Sequence, residues 1–143
     1  ATHPNDREKA SFLEENILPI EKSGRLSLVE ESGELMPNVE VRLFNGHTDG
    51  QLIPFIKYSG KTLVYVADFI PAAVHVPMAW VPSYDLRPLV TLDEKDNFYR
   101  EALENKYVLF FEHDLYNECC TLKTTPKGTR VDKTFCLQDF IDN

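Results

Sequence analysis

Apolar and polar positions fall in short blocks along the chain, and the blocks predict most of its elements. Asn5 or Asp6 is placed to cap a helix running to about Ile17, with Phe12, Leu13, Ile17 and Leu18 as its apolar stripe. Pro19 then disturbs it, and Ser23-Gly24 marks the exit. Residues 26–29 read as a short strand and Glu31-Ser32-Gly33-Glu34 as a turn. Residues 39–44 and 52–58 read as strands on either side of a loop rich in glycine and polar residues. Tyr58-Ser59-Gly60-Lys61 predicts a hairpin turn feeding a strand over residues 62–66. Residues 69–88 hold Pro71, Pro77, Pro82 and Pro88 with Trp80 and Tyr84, which predicts an ordered loop with short helical pieces. Thr91-Leu92-Asp93-Glu94 is a capping box for a helix reaching about Asn105, with Phe98, Ala102 and Leu103 buried. Residues 107–111 are nearly all apolar, as in a strand buried on both faces. Residues 121–125 and 129–135 predict a hairpin across Pro126-Lys127-Gly128, and residues 137–141 a closing helical turn. Together these blocks predict an α/β chain with a mixed sheet flanked by helices.

Composition narrows the function classes. At 143 residues the chain fits one domain with a moderate core, and 43% apolar and 11% aromatic residues mark a globular composition. No apolar run approaches the roughly 20 residues needed to cross a bilayer, so no membrane partner is expected. The amino end shows no basic-then-apolar signal segment, although a start lost to cleavage could have carried one. A net charge of −8 opposes binding to a phosphate backbone and argues against a nucleic-acid partner. The three cysteines are Cys119, Cys120 and Cys136. Adjacent cysteines rarely bridge, a crossing to Cys136 stays open, and no Cys-x-x-Cys supports a zinc finger. Buried free thiols in a reducing, cytoplasmic setting are the favoured reading. There is no Gly-x-Ser-x-Gly elbow, no cysteine tied to a histidine, and no phosphate-cradling glycine motif among only six glycines.

Three ligand-type side chains stand out against that background. His47 follows the 39–44 strand, Asp68 follows Thr62-Leu63-Val64-Tyr65-Val66-Ala67, and His113 follows Val108-Leu109-Phe110-Phe111-Glu112. Each is expected at the C-terminal end of a strand, where a rigid scaffold delivers side chains to one rim. A neutral imidazole is the commonest protein ligand for zinc, and Gly46 and Gly50 permit tight turns around His47. Thr48 or Asp49 is placed to hold the distal ring nitrogen. Asp68 follows an apolar run into a poorly solvated place, where a metal ion relieves the cost of a carboxylate; its alternative role is a helix cap. Glu112 and Asp114 flank His113, and strand alternation points both away from its site. Asp114 is left to orient a neighbour, cap, or face solvent. His75, Trp80 and Tyr84 lie on the proline-rich loop and are candidate substrate-binding residues; a packed histidine and a tryptophan anchor are the alternatives. Asp85, before Leu86-Arg87-Pro88, reads as a helix cap.

Gly46-His47-Thr48-Asp49-Gly50, Ala67-Asp68 and Phe111-Glu112-His113-Asp114, in this order, resemble the second half of the metallo-β-lactamase fold hydrolases. Ala79-Trp80-Val81-Pro82-Ser83-Tyr84-Asp85 resembles the branch that includes lactonases and organophosphate hydrolases. The match runs from about Asp6 to the end. It implies the second half of an αβ/βα sandwich, with His47, Asp68 and His113 as metal ligands. Asp68 would bridge two divalent ions, making it the catalytic residue, and His113 would bind the second ion. Zinc suits the ligand set, with manganese, iron or cobalt as alternatives. The implied reaction is hydrolysis by a metal-bound hydroxide, of a lactone or other ester first, a phosphotriester second, and a thioester or β-lactam third. The family's His-x-His-x-Asp-His motif is missing, since neither His3 nor His75 has a His or Asp at that spacing. Residues 1–143 are therefore expected to be the C-terminal portion of a longer hydrolase domain, inactive alone. A natural half-length protein is the alternative. The expected partners are a small-molecule substrate and either the missing amino-terminal half or a second copy of the chain. A reading from a different class is a non-catalytic half-domain that completes a partner's fold.

Overall fold

The computed structural model describes residues 3–142. They divide into two compact units, one up to Glu30 and one from Glu31. In the first, α1 spans Glu14–Lys22, later than the sequence pattern predicts. The Asn5 side chain accepts the N–H groups of Arg7 and Glu8, at 2.9 and 3.1 Å, but caps only a run of turns. Pro19 lies inside α1, where its missing N–H removes one hydrogen bond without ending the helix. Residues 26–29 form no strand, because alternation alone does not hold a strand that has no ladder partner.

The second unit is a seven-stranded sheet in sequence order: β1 (Gly33–Met36), β2 (Val39–Phe44), β3 (Gln51–Tyr58), β4 (Lys61–Tyr65), β5 (Val108–Phe110), β6 (Cys119–Thr125) and β7 (Gly128–Phe135). Neighbours pair antiparallel except β4 and β5, which run parallel. A parallel pair needs a crossover, and the segment carrying α2 (Pro88–Glu104) supplies it. α3 (Leu137–Asp142) closes the described chain. The predicted turn at residues 31–34 is displaced, because Gly33 and Glu34 pair with Val41 and Glu40. The chain reverses instead just before β2, where Asn38 takes φ 67°. The hairpin between β3 and β4 has positive φ at both Ser59 and Gly60, the twist that a two-residue connection demands.

Alternation along the strands divides the apolar residues between two faces. Ile53, Phe55, Val64, Val66, Leu109, Phe111 and Cys120 pack with Phe98, Tyr99 and Ala102 of α2 in the main core. Leu63, Val108 and Cys119 form a smaller cluster with Phe140 of α3. Arg42 on β2 fixes the C-terminal half of α2 through a two-pronged bond to Glu101, at 2.6 and 3.0 Å, and its guanidinium lies over the Phe55 ring. α2 starts three residues before the predicted capping box. Pro88 occupies its first position, where a missing N–H costs nothing, and no side chain caps it. No helix among the described residues is long and apolar enough to cross a membrane.

Candidate metal centre

The N-terminal turn of α2 sits against the loop after β2. A Cβ on Gly46 would lie 2.6 Å from the Thr91 backbone nitrogen and 2.7 Å from its Cα, so only glycine admits this approach. Close packing, rather than a special φ, is therefore what Gly46 provides; Gly50 is the residue at positive φ, 70°. Glu94 of the presumed capping box does not serve its own helix. Its carboxylate accepts the backbone N–H of Asn45 at 2.6 Å and of Gly46 at 3.1 Å. The backbone N–H groups of Leu86 and Arg87 complete the junction by donating to the carbonyls of His47 and Gly46, at 3.1 and 2.9 Å. The loop that bears His47 is thus clamped to α2 from several sides.

Asp85 is the residue that orients His47. Its side chain is 1% exposed, and one oxygen lies 3.0 Å from His47 Nδ1 while the other accepts the Thr91 hydroxyl at 2.7 Å. Asp85 is therefore no helix cap, and neither Thr48 nor Asp49 holds the distal nitrogen. Asp49 instead pairs with Arg87, whose hydrogen bonding holds its carboxyl below the usual range. The bond to Asp85 raises the His47 pKa first; burial opposes this, and the charges of Asp68 and Asp85 add to it. With Nδ1 engaged, Nε2 is the nitrogen that faces Asp68.

Asp68 reaches the rim from a short 3₁₀ turn, Ala67–Phe69, immediately after β4. Ala67 takes φ 42°, an uncommon backbone state for a residue with a Cβ, and the chain swings there. No side chain caps this turn, so Asp68 does not serve as a cap. One oxygen of Asp68 lies 3.7 Å from His47 Nε2 and the other 3.1 Å from His113 Nε2. His113 is held through its backbone N–H, which donates to the Pro71 carbonyl at 3.0 Å. The structure thus brings the three ligand candidates together around one carboxylate.

Glu112 departs from expectation. β5 ends at Phe110, so alternation does not extend to residues 112 and 113, and the bend turns both to the same side. Ligand atoms of Asp68, Glu112 and His113 all lie within 4.8 Å of one another. Tyr65 bonds Glu112, and its phenol is pushed up to about 12, by burial first and then by that carboxylate. Asp114 points elsewhere, accepting the N–H groups of Ala73, Tyr116 and Asn117 at 2.9, 3.0 and 2.9 Å. Burial raises its pKa, but those donors outweigh it and leave the carboxyl below its ordinary value. It anchors the loop that carries His75.

A cavity of about 350 Å³ opens beside the carboxylate, lined by His47, Asp68, Pro71, His75, Pro82, Ser83, Tyr84 and His113. His75 and Tyr84 are at its wall, as a substrate-binding role requires. Trp80 is not among the lining residues: it is 58% exposed, and its backbone carbonyl is what the fold uses. His75 is kept toward its neutral form, chiefly by burial and then by the charge of Lys95. Of the cysteines, Cys119 and Cys120 are buried free thiols, as expected, whereas Cys136 is exposed, with Sγ 3.0 Å from an Asp139 oxygen.

The donor set fits divalent ions. Two ligand atoms each about 2.1 Å from a tetrahedral ion lie about 3.4 Å apart. The two Asp68–histidine separations, 3.1 and 3.7 Å, bracket that value.

No family model matches the sequence, and no curated protein matches it. Solved structures do. A probable metal-dependent hydrolase from Staphylococcus aureus superposes with a TM-score of 0.79 at 26% identity, over 92% of this chain and 46% of that one. A dizinc quorum-quenching lactonase, solved with an N-acyl-homoserine product, superposes with a TM-score of 0.68 at 21% identity, over 92% of this chain and 48% of that one. A hydrolase of the β-lactamase superfamily gives a TM-score of 0.68 at 14% identity, over 86% of this chain and 43% of that one. By fold, the chain is an α/β unit of the metallo-β-lactamase type that spans about half the length of the metal-dependent hydrolases it matches.

Proposed function

We propose that this chain is the C-terminal portion of a metal-dependent hydrolase, and that His47, Asp68 and His113 are its contribution to a dinuclear centre. The observation that carries the reading is the division of Asp68, one oxygen toward each of two histidines on different elements, as a bridging carboxylate would be. Divalent ions held there, zinc first and manganese, iron or cobalt as alternatives, supply an activated water and polarise a carbonyl or phosphoryl oxygen. The protein's own part is to hold His47 in the tautomer with Nε2 free, through Asp85, and to place the cavity wall beside the ligands. That wall is largely uncharged: prolines, Tyr84, Ser83 and a near-neutral His75. It suits a small neutral ester better than an anion. A lactone or other ester is the first substrate class, a phosphotriester the second, and a thioester or β-lactam the third. The known lactonase of the same fold supports this order.

The remaining ligands belong to a missing amino-terminal half, or a second copy takes its place. The partial coverage of the matched structures supports this. So does the sheet face away from α2, where Leu52 and Tyr58 of β3 stay exposed. Buried free Cys119 and Cys120 support a reducing compartment such as the cytoplasm. The test is elemental analysis and a panel of lactones, esters and phosphotriesters on the complete protein. Two ions per molecule and metal-dependent turnover are expected. A complete protein that binds no divalent ion would overturn the proposal and leave the second reading, a non-catalytic half-domain that completes a partner's fold.

A further inference from the structure

Lys95 lies one helical turn beyond Thr91 on α2 and is 1% exposed. A buried ammonium ordinarily needs a carboxylate, because an uncompensated charge in the interior is expensive. Among the described residues Lys95 has none in ion-pair contact. It meets backbone instead: Nζ donates to the carbonyls of His75 at 2.7 Å, Pro77 at 3.0 Å, Trp80 at 3.0 Å and Met78 at 3.3 Å. The Tyr99 hydroxyl, one turn further on, donates to the Val76 carbonyl at 2.7 Å. Of the carbonyls from residue 75 to residue 80, every one but Ala79's therefore points at α2. An ammonium has three protons, so four carbonyl oxygens exceed what directed hydrogen bonds can satisfy. The arrangement is a shell of dipoles around a monovalent cation, as when backbone carbonyls replace an ion's water. Burial lowers the Lys95 pKa to about 8, against the pull of Asp85, which still leaves it mostly protonated near neutral pH.

The gripped segment starts with His75, which lines the cavity. Among the described residues His75 Nδ1 is buried with no hydrogen-bond partner, so that nitrogen does nothing to anchor the ring. Its backbone is held instead, the N–H donating to the Ala72 carbonyl at 2.9 Å and the carbonyl making the shortest of the four contacts to Lys95. We infer that Lys95 is a positioning residue for substrate: an internal cation, carried on α2, that gathers the carbonyls of His75, Pro77, Met78 and Trp80 and so sets where His75 stands in the cavity. The inference rests on the proposed function for its substrate, but not for the cage itself.

The experiment is done on the complete protein. Replacing Lys95→Met keeps the aliphatic bulk and removes the charge. Amide hydrogen exchange across residues 75–80 is expected to accelerate, while metal content holds at the wild-type value. kcat/KM is expected to fall by about tenfold to a hundredfold, mainly through KM, since misplacement of a contact residue acts on binding and orientation. In Lys95→Ala, added methylammonium or potassium is expected to restore slow exchange in the segment, whereas tetramethylammonium at equal ionic strength is not. Tyr99→Phe removes a single contact to the same segment and should move exchange and KM in the same direction by less; it keeps the test alive should the lysine variants fail to fold. Unchanged exchange in residues 75–80, loss of metal in Lys95→Met, or equal rescue by tetramethylammonium would each overturn the inference. If the wild-type protein hydrolyses nothing, the substrate reading fails alone, because exchange and cation rescue still report on the cage.

Discussion

Asp85 offers the sharpest test of how the site is held. Truncation to alanine removes the acceptor of two donors at once, His47 Nδ1 at 3.0 Å and the buried Thr91 hydroxyl at 2.7 Å. An orphaned buried donor costs about 1–3 kcal/mol. Thr91 retains only a poor alternative, the Arg87 carbonyl at 3.4 Å, while the partly exposed His47 ring can recover some of its loss from water. The expected destabilisation is therefore about 2–4 kcal/mol, a large share of a typical domain's stability but short of unfolding it. Loss of the group that orients a ligating imidazole weakens metal binding by about 10–100-fold. Asp85→Asn keeps one acceptor, for Nδ1–H, drops the charge, and sets an NH2 donor where the Thr91 hydroxyl donates, so that the hydroxyl must turn and accept; it should fall between wild type and alanine in affinity while losing less stability. Chelator competition measures the affinity, and urea unfolding with the metal removed measures the stability. The metal-free protein adds a pH signature. Asp85 raises the folded pKa of His47 above its ordinary 6.5. That part of the stability is fully present below pH 6.5 and disappears as pH rises through the raised value. The gap between wild type and Asp85→Ala should thus be widest in mild acid. An alanine variant with wild-type metal affinity, or a gap that widens on the alkaline side, would refute the reasoning.

Asp68→Ala should abolish most activity in the complete protein and lower its metal content, as elemental analysis would reveal; near-normal turnover with both ions bound would exclude a bridging role. Gly46→Ala places a methyl group against both the Thr91 hydroxyl and the Thr91 backbone, and the backbone cannot yield, so thermal unfolding should register a loss of about 3 kcal/mol or more. Replacing His75 or Tyr84 should reorder ester, lactone and phosphotriester preferences with metal content intact, whereas Trp80→Ala should leave that ranking alone; kcat/KM across a substrate panel decides.

The sheet was legible because its signals are local. Short apolar runs bounded by turn residues mark β2, β3 and β4, and the Ser59-Gly60 turn fixes the register between the last two. Strand ends also forecast where His47, Asp68 and His113 would gather. What escaped was long-range or irregular. Asp85 lies 38 residues from His47, and Glu94 lies 49 from the Asn45 N–H it accepts. Each wears a disguise in sequence, one as a helix cap and the other as half of a capping box. Glu112 was misjudged because the alternation rule fails where β5 stops. Pro88 was the better start signal for α2, and it competed with Thr91 for the same role. Lys95 gave no sign at all, since a lysine between Glu94 and Asp96 reads as a solvated helix face.

The grip on residues 75–80 has a consequence for how this site can change over time. Lys95 and Tyr99 hold the segment entirely through main-chain carbonyls, which every amino acid possesses. Nothing in those bonds depends on which side chains the segment bears. A substitution at His75, the member of the segment that lines the cavity, can alter what the segment offers an incoming molecule while its course through space is retained. Most loops that shape a binding surface trade novelty against order, because the side chains that would vary are also the ones that keep the loop in place. At His75 the two tasks fall to different atoms, while Val76 and Met78 hold the segment from the core side. A lineage, or an engineer, could explore new preferences along this stretch while the tether on α2 is left untouched.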